Sequence, residues 1–352
     1  MKHARFSRSC QRGVGLVELM VALLVGLLLL TGVLGAYLSQ RLAYRTHESL
    51  ARLQENGRFA FELMMREVRD AGQLPCGAAL TANVLRKAPP AVTYWWADTD
   101  AGMVRGFDGV SGAGVASNSV VAVGTATSER IASTDALLLL RPTGADQGVA
   151  RIAAHDPATG TLSAAADNGV ESDDIALLCD PHSSALFQIS TSTSSGKALS
   201  YRGAPSLNCT TDLGAVVAPC TDTHPKTFEA GAIVARWEPA FWYIGANGRG
   251  SRSLYRATIH KSGATPGSRT IQTAKHEMVP DIDDLQIDYL RRLPGGDLAS
   301  TWESAAAITS WNDPDRPVLA VRARLTLVAN DGAGSLLARS LVAVAALRNA
   351  QP

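Results

Sequence analysis

Hydrophobic and polar positions are distributed very unevenly along this chain. From Leu19 to Gln40 no residue carries a charge, a run of 22 positions. Coiled as an α-helix, such a run spans about 33 Å, enough for a bilayer core of about 30 Å. No second run of this kind follows. Lys2, Arg5, Arg8 and Arg12 precede it without an acid among residues 1–12. This basic flank predicts a cytoplasmic N-terminus, with everything after Gln40 on the outer side. Beyond the apolar run, Leu50, Leu53, Gly57, Ala60, Phe61, Met64, Val68 and Ala71 recur mostly at three- and four-residue steps. They form one face of an amphipathic helix on which a globular domain docks. Arg52, Glu55, Arg58, Glu62, Arg66, Glu67 and Arg69 mostly occupy the other faces, and Glu62 with Arg66 makes a favourable i,i+4 pair. Gly72 followed by Pro75 stops the helix. The expectation is one helix from about Val14 to Ala71, roughly 85 Å long. Gly26, Gly32 and Gly35 interrupt its apolar half, as points of local melting or of close helix–helix contact.

From Cys76 onward the pattern changes to strands and turns. Val120–Val123, Ala136–Leu140, Ile175–Leu178, Leu186–Ile189, Ile233–Arg236, Phe241–Ile244, Leu285–Tyr289, Val321–Val328 and Leu341–Leu347 are short β-rich runs. Leu285–Tyr289 and Val321–Leu327 alternate apolar and polar, the mark of half-buried antiparallel strands. Gly245–Gly250 reads as a hairpin tip, Asn330-Asp331-Gly332 as a turn, and Gly109–Ser119 and Ser192–Lys197 as flexible loops. Residues 297–316 read as a helical or loop excursion before the last two strands. One long helix followed by many strands is an α+β class, the helix laid across an antiparallel β-sheet domain.

Composition alone misleads. A chain of 352 residues with net charge +1, 46% hydrophobic and 18% charged residues has the averages of a soluble enzyme. Near-zero charge argues against nucleic-acid binding through a basic surface, and no direct nucleic-acid binding is predicted. The motifs of catalysis are missing. Ser195-Gly196-Lys197 has Thr191 where a phosphate-binding loop needs Gly. Gly109–Ala113 ends in Ala, where a nucleophile elbow needs Gly. Asp281, Asp283 and Asp284 lack the Gly and distal Glu of a calcium loop and read as solvated acids. Trp95-Trp96 and Trp242-Tyr243 read as core rather than as an adhesive surface. The chain is expected to be no enzyme and to need no cofactor.

Glu18 is the residue that the apolar run leaves unexplained. A carboxylate there costs a few kcal/mol and needs a partner. A cleaved secretory signal has a shorter apolar core, and a plain signal anchor leaves Glu18 without a role. Gly13-Val14-Gly15-Leu16-Val17-Glu18-Leu19 resembles the type IV prepilin signal. The resemblance implies that prepilin peptidase cuts between Gly13 and Val14 and methylates the new amine. It makes Glu18 the fifth mature residue, paired with the N-terminal ammonium of a neighbouring helix. Val14 and Gly15 depart from the commonest residues of the signal, and Gly35 stands where pilin helices often carry Pro. Removing four basic residues and no acid leaves 339 residues at −3.

The resemblance extends into the body. Gln54–Ala60, Arg66–Gly72 with Cys76, Gly106–Gly109, Ser133–Leu137, Leu178-Cys179-Asp180, Phe241–Gly245 and Val279–Tyr289 resemble PilW-type minor pilins, as do Val321–Leu325 and Leu347–Asn349. This implies a minor pilin that primes pilus assembly, supporting twitching, attachment or DNA uptake. Its partners would be other minor and major pilins, prepilin peptidase and the inner-membrane assembly machinery. It would cross the inner membrane once, with a periplasmic domain, and later lie near the filament tip. A type II secretion pseudopilin of the larger, J-like kind is the alternative. The expected divisions are a leader (1–13), an assembly half-helix (14–40), an amphipathic half-helix (41–72) and a β-rich domain (73–352).

Cys76, Cys179, Cys209 and Cys220 all fall on the outer side, where an even number favours disulfides. Three pairings are possible. The local Cys209–Cys220 loop is the favoured first pair, with Cys76–Cys179 then tying the helix exit to the sheet. The competing reading is zinc, through Cys179 with His182 and Cys220 with His224. The lack of any Cys-x2-Cys argues against it, and no metal is expected.

Overall fold

The computed structural model describes residues 15–72, 74–77, 79–85, 94–109, 120–143, 149–193, 196–203, 207–214, 224–330 and 336–348. One unbroken helix runs Leu16–Asp70. Gly72 ends it in the left-handed conformation (φ +70°) and donates its N–H to the Leu140 carbonyl at 3.2 Å. The described chain divides into two compact units. One holds the helix up to Arg52 together with Ala329–Leu337, and the other holds Leu53–Val328 and the chain from Ala338.

In the first unit the helical side chains are almost all exposed, and Ser49 Oγ donates to the Asn330 carbonyl at 3.3 Å. In the second, the helix buries Leu53, Gly57, Ala60, Met64, Met65 and Val68. This stripe has the predicted helical spacing, and Met65 widens it. Gly57 is small for a packing reason, since a Cβ there would run into the Leu341 side chain.

The described strands form three sheets. The largest orders eight strands as Ala82–Asn83, Ser184–Gln188, Ile175–Cys179, Ile233–Arg236, Val149–Asp156, Thr161–Ala164, Ala198–Ser200 and Thr191–Ser192. Its first pair is parallel and its other pairs are antiparallel. A five-stranded sheet runs Thr270–Pro280, Arg252–Ser262, Ala240–Ala246, Ala136–Leu139 and Val104–Phe107. A four-stranded sheet runs Glu303–Ser304, Ile282–Arg291, Val318–Asn330 and Leu336–Ala346. The class is α+β, as expected, with the β residues divided among several sheets.

Burial on both faces explains the continuous apolar run Ile175–Cys179. Ile175, Leu177 and Cys179 point into a core shared with Trp95, Trp96, Leu138 and Phe241. Ala176 and Leu178 point into a second core with Val84, Phe187, Tyr201 and Val234. Tertiary context overrides pattern at several places. Val120 and Val121 are core residues outside any strand, and Val123 makes only an isolated bridge to Arg130. Conversely, Val149–Asp156, Arg252–Ser262 and Thr270–Pro280 are strands that weak periodicity hides. Arg252–Ser262 follows Ala240–Ala246 through the predicted hairpin tip, with Gly248 and Gly250 at positive φ. The excursion at 297–316 is mostly irregular, with one 3-10 turn at Ala305–Ala307. Of the two predicted loops, residues 110–119 and 194–195 lie outside the described residues, and Ser192 belongs to a short strand.

Candidate functional site

The chemistry that the sequence singles out sits at the start of the helix. Gly15 flanks its first turn, and its carbonyl accepts the first helical bond from Leu19 N–H at 3.1 Å. Glu18 is exposed in that turn, where a carboxylate interacts favourably with the positive end of the helix dipole. Gly13 and Val14 lie outside the described residues. Around and beyond Glu18 the helix is apolar on every face. Leu16 is 75% exposed, Leu23 66% and Leu30 68%. Removing one such side chain from water is worth about 1.5–3 kcal/mol, so this surface strongly favours lipid or other apolar helices over water. It is the one helix, among the described residues, long and apolar enough to cross a membrane. A Cβ at Gly26, Gly32 or Gly35 would meet nothing within 4 Å, so packing within the chain does not demand these glycines.

At its other end the helix is locked to the domain by a polar cluster. Glu67 accepts from Trp242 Nε1 at 2.7 Å, from Arg141 at 2.8 Å and from Arg256 at 2.7 Å. Glu238 lies 3.8 Å from Arg141 and pairs with Arg236 at 2.6 Å. Nearby, Asp70 pairs with Arg348 at 3.4 Å. In the sequence Glu67 looked like one more solvated charge. The available signal was its place three residues after Met64 and next to Val68, on the border of the buried stripe.

Cys76 and Cys179 are bonded, with Cα atoms 6.0 Å apart, which ties the helix exit to the eight-stranded sheet. Cys209 is also disulfide-bonded, and Cys220 lies outside the described residues. The zinc reading loses its Cys179 ligand to that bond. The neighbouring Asp180 instead accepts from His182 N–H and Ser183 N–H, each at 2.8 Å, and pairs with Lys226 at 3.0 Å. No group of three or more His, Cys, Asp or Glu side chains suited to a metal occurs among the described residues. Asp283 pairs with Arg252 at 3.3 Å, and Asp284 accepts from Gln286 at 3.0 Å. Trp95, Trp96, Trp242 and Tyr243 are buried, as core aromatics should be.

Two buried titratable groups escaped the sequence reading. Asp135 accepts from Gly109 N–H at 2.9 Å and from Ile287 N–H at 2.8 Å, joining two sheets. Burial pushes its carboxyl up to about 6 against those two bonds. His155 accepts Phe228 N–H on Nδ1 at 3.0 Å and meets Tyr201 Oη at 2.8 Å through Nε2. Burial holds its imidazole below the ordinary value. Each serves architecture, because its polar atoms are taken up by neighbouring groups of the fold.

Residues 8–34 match the family described as the prokaryotic N-terminal methylation motif. No curated protein and no solved structure matches the chain. The matched segment contains Gly13, Val14 and Glu18 and runs into the exposed apolar helix. It supports a pilin or pseudopilin, a type IV pilin-like structural subunit whose N-terminal helix fits membrane anchoring and filament incorporation.

Proposed function

We propose that this chain is a minor pilin of a type IV pilus, of the PilW type, acting in the priming of filament assembly. The carrying observation is the exposed apolar half of the helix, with Glu18 in its first turn and a matched methylation motif overlapping it. In this reading prepilin peptidase cuts after Gly13 and methylates Val14. The helix then leaves the inner membrane to pack among other pilin helices, and Glu18 pairs with a neighbour's terminal ammonium. Residues 1–13 are the leader, 14–40 the assembly half of the helix, 41–72 its amphipathic half, and 73–352 the periplasmic and later extracellular domain. Roughly 280 residues of domain would crowd a repeating lattice, which favours a rare place near the tip.

Replacing Gly13 with Asp tests the processing step. The precursor should stay full-length and unmethylated in membranes, and shortening at that point would end the reading. A J-like type II secretion pseudopilin shares every one of these features. Deletion separates the two: loss of surface pili supports the pilus, and loss of exoprotein secretion with pili intact supports the pseudopilin.

A further inference from the structure

Beside the polar cluster at Glu67 lies a cavity of about 370 Å³ whose charges do not balance. Its lining belongs wholly to the second unit. Arg66, Arg141 and Arg256 line it together with Glu67, Asp70 and Glu238. Two further arginines pair with its acids, Arg236 with Glu238 at 2.6 Å and Arg348 with Asp70 at 3.4 Å. Five arginines therefore share three carboxylates.

Individual bonds show where the surplus falls. Glu67 is divided between Arg141 at 2.8 Å and Arg256 at 2.7 Å. Glu238 lies close to Arg236 and stays 3.8 Å from Arg141. Buried Arg141 also keeps its Nε–H without an acceptor among the described residues. Arg66 is exposed and has no ion pair or hydrogen bond among the described residues, although Glu62 stands at the i,i+4 spacing. A negative charge brought into this cavity would meet under-compensated guanidinium groups in partly desolvated surroundings, where attraction is stronger than in open water.

The lining also offers apolar contact. Leu63 of the helix and Met278 of the edge strand Thr270–Pro280 are both half-buried there. Met278 is the extra residue of a bulge, since Leu254 pairs with Val279 and Tyr255 with Glu277. Bulges of this kind re-aim a side chain.

We infer that this cavity is a docking site for an acidic segment of another protein. An Asp or Glu carboxylate of that segment pairs with Arg66, and a neighbouring apolar side chain lies against Leu63 and Met278. Charge complementarity selects the occupant. A carboxylate brings one negative charge in the planar shape that a guanidinium fork accepts. A phosphate dianion would be repelled more strongly by Glu67, Asp70 and Glu238. A second cavity, of about 390 Å³, shares Glu238 and Arg256 with the first and leaves room for the residues flanking the carboxylate. Every residue of the site lies from Leu53 onward, so the site does not depend on the assembly reading of the apolar helix.

The full-length chain is expressed in its own cells with the photo-crosslinker benzoylphenylalanine at Met278 or, for comparison, at Lys275, an exposed residue of the same strand outside the cavity. Irradiation should give an adduct with a different protein from Met278 and none from Lys275. Peptide masses should place an Asp or Glu within a few residues of the crosslinked position. Arg66→Gln should reduce the adduct about tenfold, equivalent to about 1.4 kcal/mol of binding. Its melting temperature in detergent should match wild type, because Arg66 has no contact within the described chain to lose. Arg66→Glu should abolish the adduct, and exchanging the partner's acid for Arg should restore it. No adduct, an equal adduct from Lys275, an adduct with lipid or with a second copy of the chain, or a crosslinked peptide without an acid overturns the inference. So does an adduct that Arg66→Gln leaves unchanged, or one that charge exchange does not restore. A lowered melting temperature for Arg66→Gln would make Arg66 a structural residue and overturns it as well.

Discussion

Replacing Glu67 by Gln removes the one carboxylate that joins the helix to Trp242, Arg141 and Arg256 while keeping its shape. Glu67 is 12% exposed at its side chain and Arg141 is 9% exposed, so solvent screens their pair weakly. Breaking a buried pair by neutralising one partner costs about 3–5 kcal/mol, because the other charge stays buried. Gln retains an acceptor for the Trp242 indole, and Glu238 at 3.8 Å partly compensates Arg141. The expected loss is therefore about 3 kcal/mol, at the low end of that range. With an unfolding entropy of about 2.1 cal/mol/K per residue, a domain of roughly 280 residues should melt roughly 5 °C lower. The assay is thermal unfolding of the full-length chain in detergent, followed by near-UV circular dichroism, which reports Trp242. Arg141→Met should be similarly costly. The double variant should lose about 2 kcal/mol less than the sum, since it leaves no orphaned pair. An unchanged melting temperature for Glu67→Gln, or strict additivity, would refute the claim that this cluster holds the helix.

Acid chemistry offers two further checks of opposite sign. Asp135 has its carboxyl raised to about 6 from an ordinary 3.8, so its contribution is full below 3.8 and is lost as pH rises through 6. Two pH units correspond to about 3 kcal/mol. Asp135→Asn should flatten the wild-type stability curve between pH 4 and 7 in urea titrations, and an unaltered slope would count against the buried site. His155 is held below its ordinary value, so its contribution is full above 6.5 and is lost as pH falls through the lowered value. Its imidazole NMR titration midpoint should lie below 6.5, and a midpoint at or above 6.5 would contradict the Phe228 N–H bond to Nδ1. Cys76→Ser opens a bridge with a sequence separation of 103 residues, worth roughly 4–5 kcal/mol by loop entropy. The urea midpoint should fall accordingly, and an equal midpoint in wild type and variant would show that the bond does not restrain the helix exit.

Local features were legible because they depend on neighbours in sequence. The apolar run, its basic flank, the stop at Gly72 and the turn at Gly245–Gly250 each follow from composition within a few residues. The burial stripe from Leu53 to Val68 follows from helical period alone. Ala-rich and mixed strands such as Val149–Asp156 and Arg252–Ser262 were not legible, because their side chains have no strong preference of their own. Their conformation comes from partners: Arg252–Ser262 is held between Ala240–Ala246 and Thr270–Pro280.

The sequence by itself determined that this chain has one membrane-length helix, a methylation-type signal with Glu18 inside it, and a β-rich body. Those properties are sums over adjacent residues, and water or lipid reads them directly. The tertiary structure alone decided that the described strands divide into three sheets, that Leu336–Ala346 comes last in the four-stranded one among the described residues, and that Glu67 becomes an anchor. Glu67 meets partners 74, 175 and 189 positions away. Pairing over such separations is a choice among many sterically allowed closures. It is made by packing the whole core at once, which a local pattern of hydrophobic and polar residues does not encode.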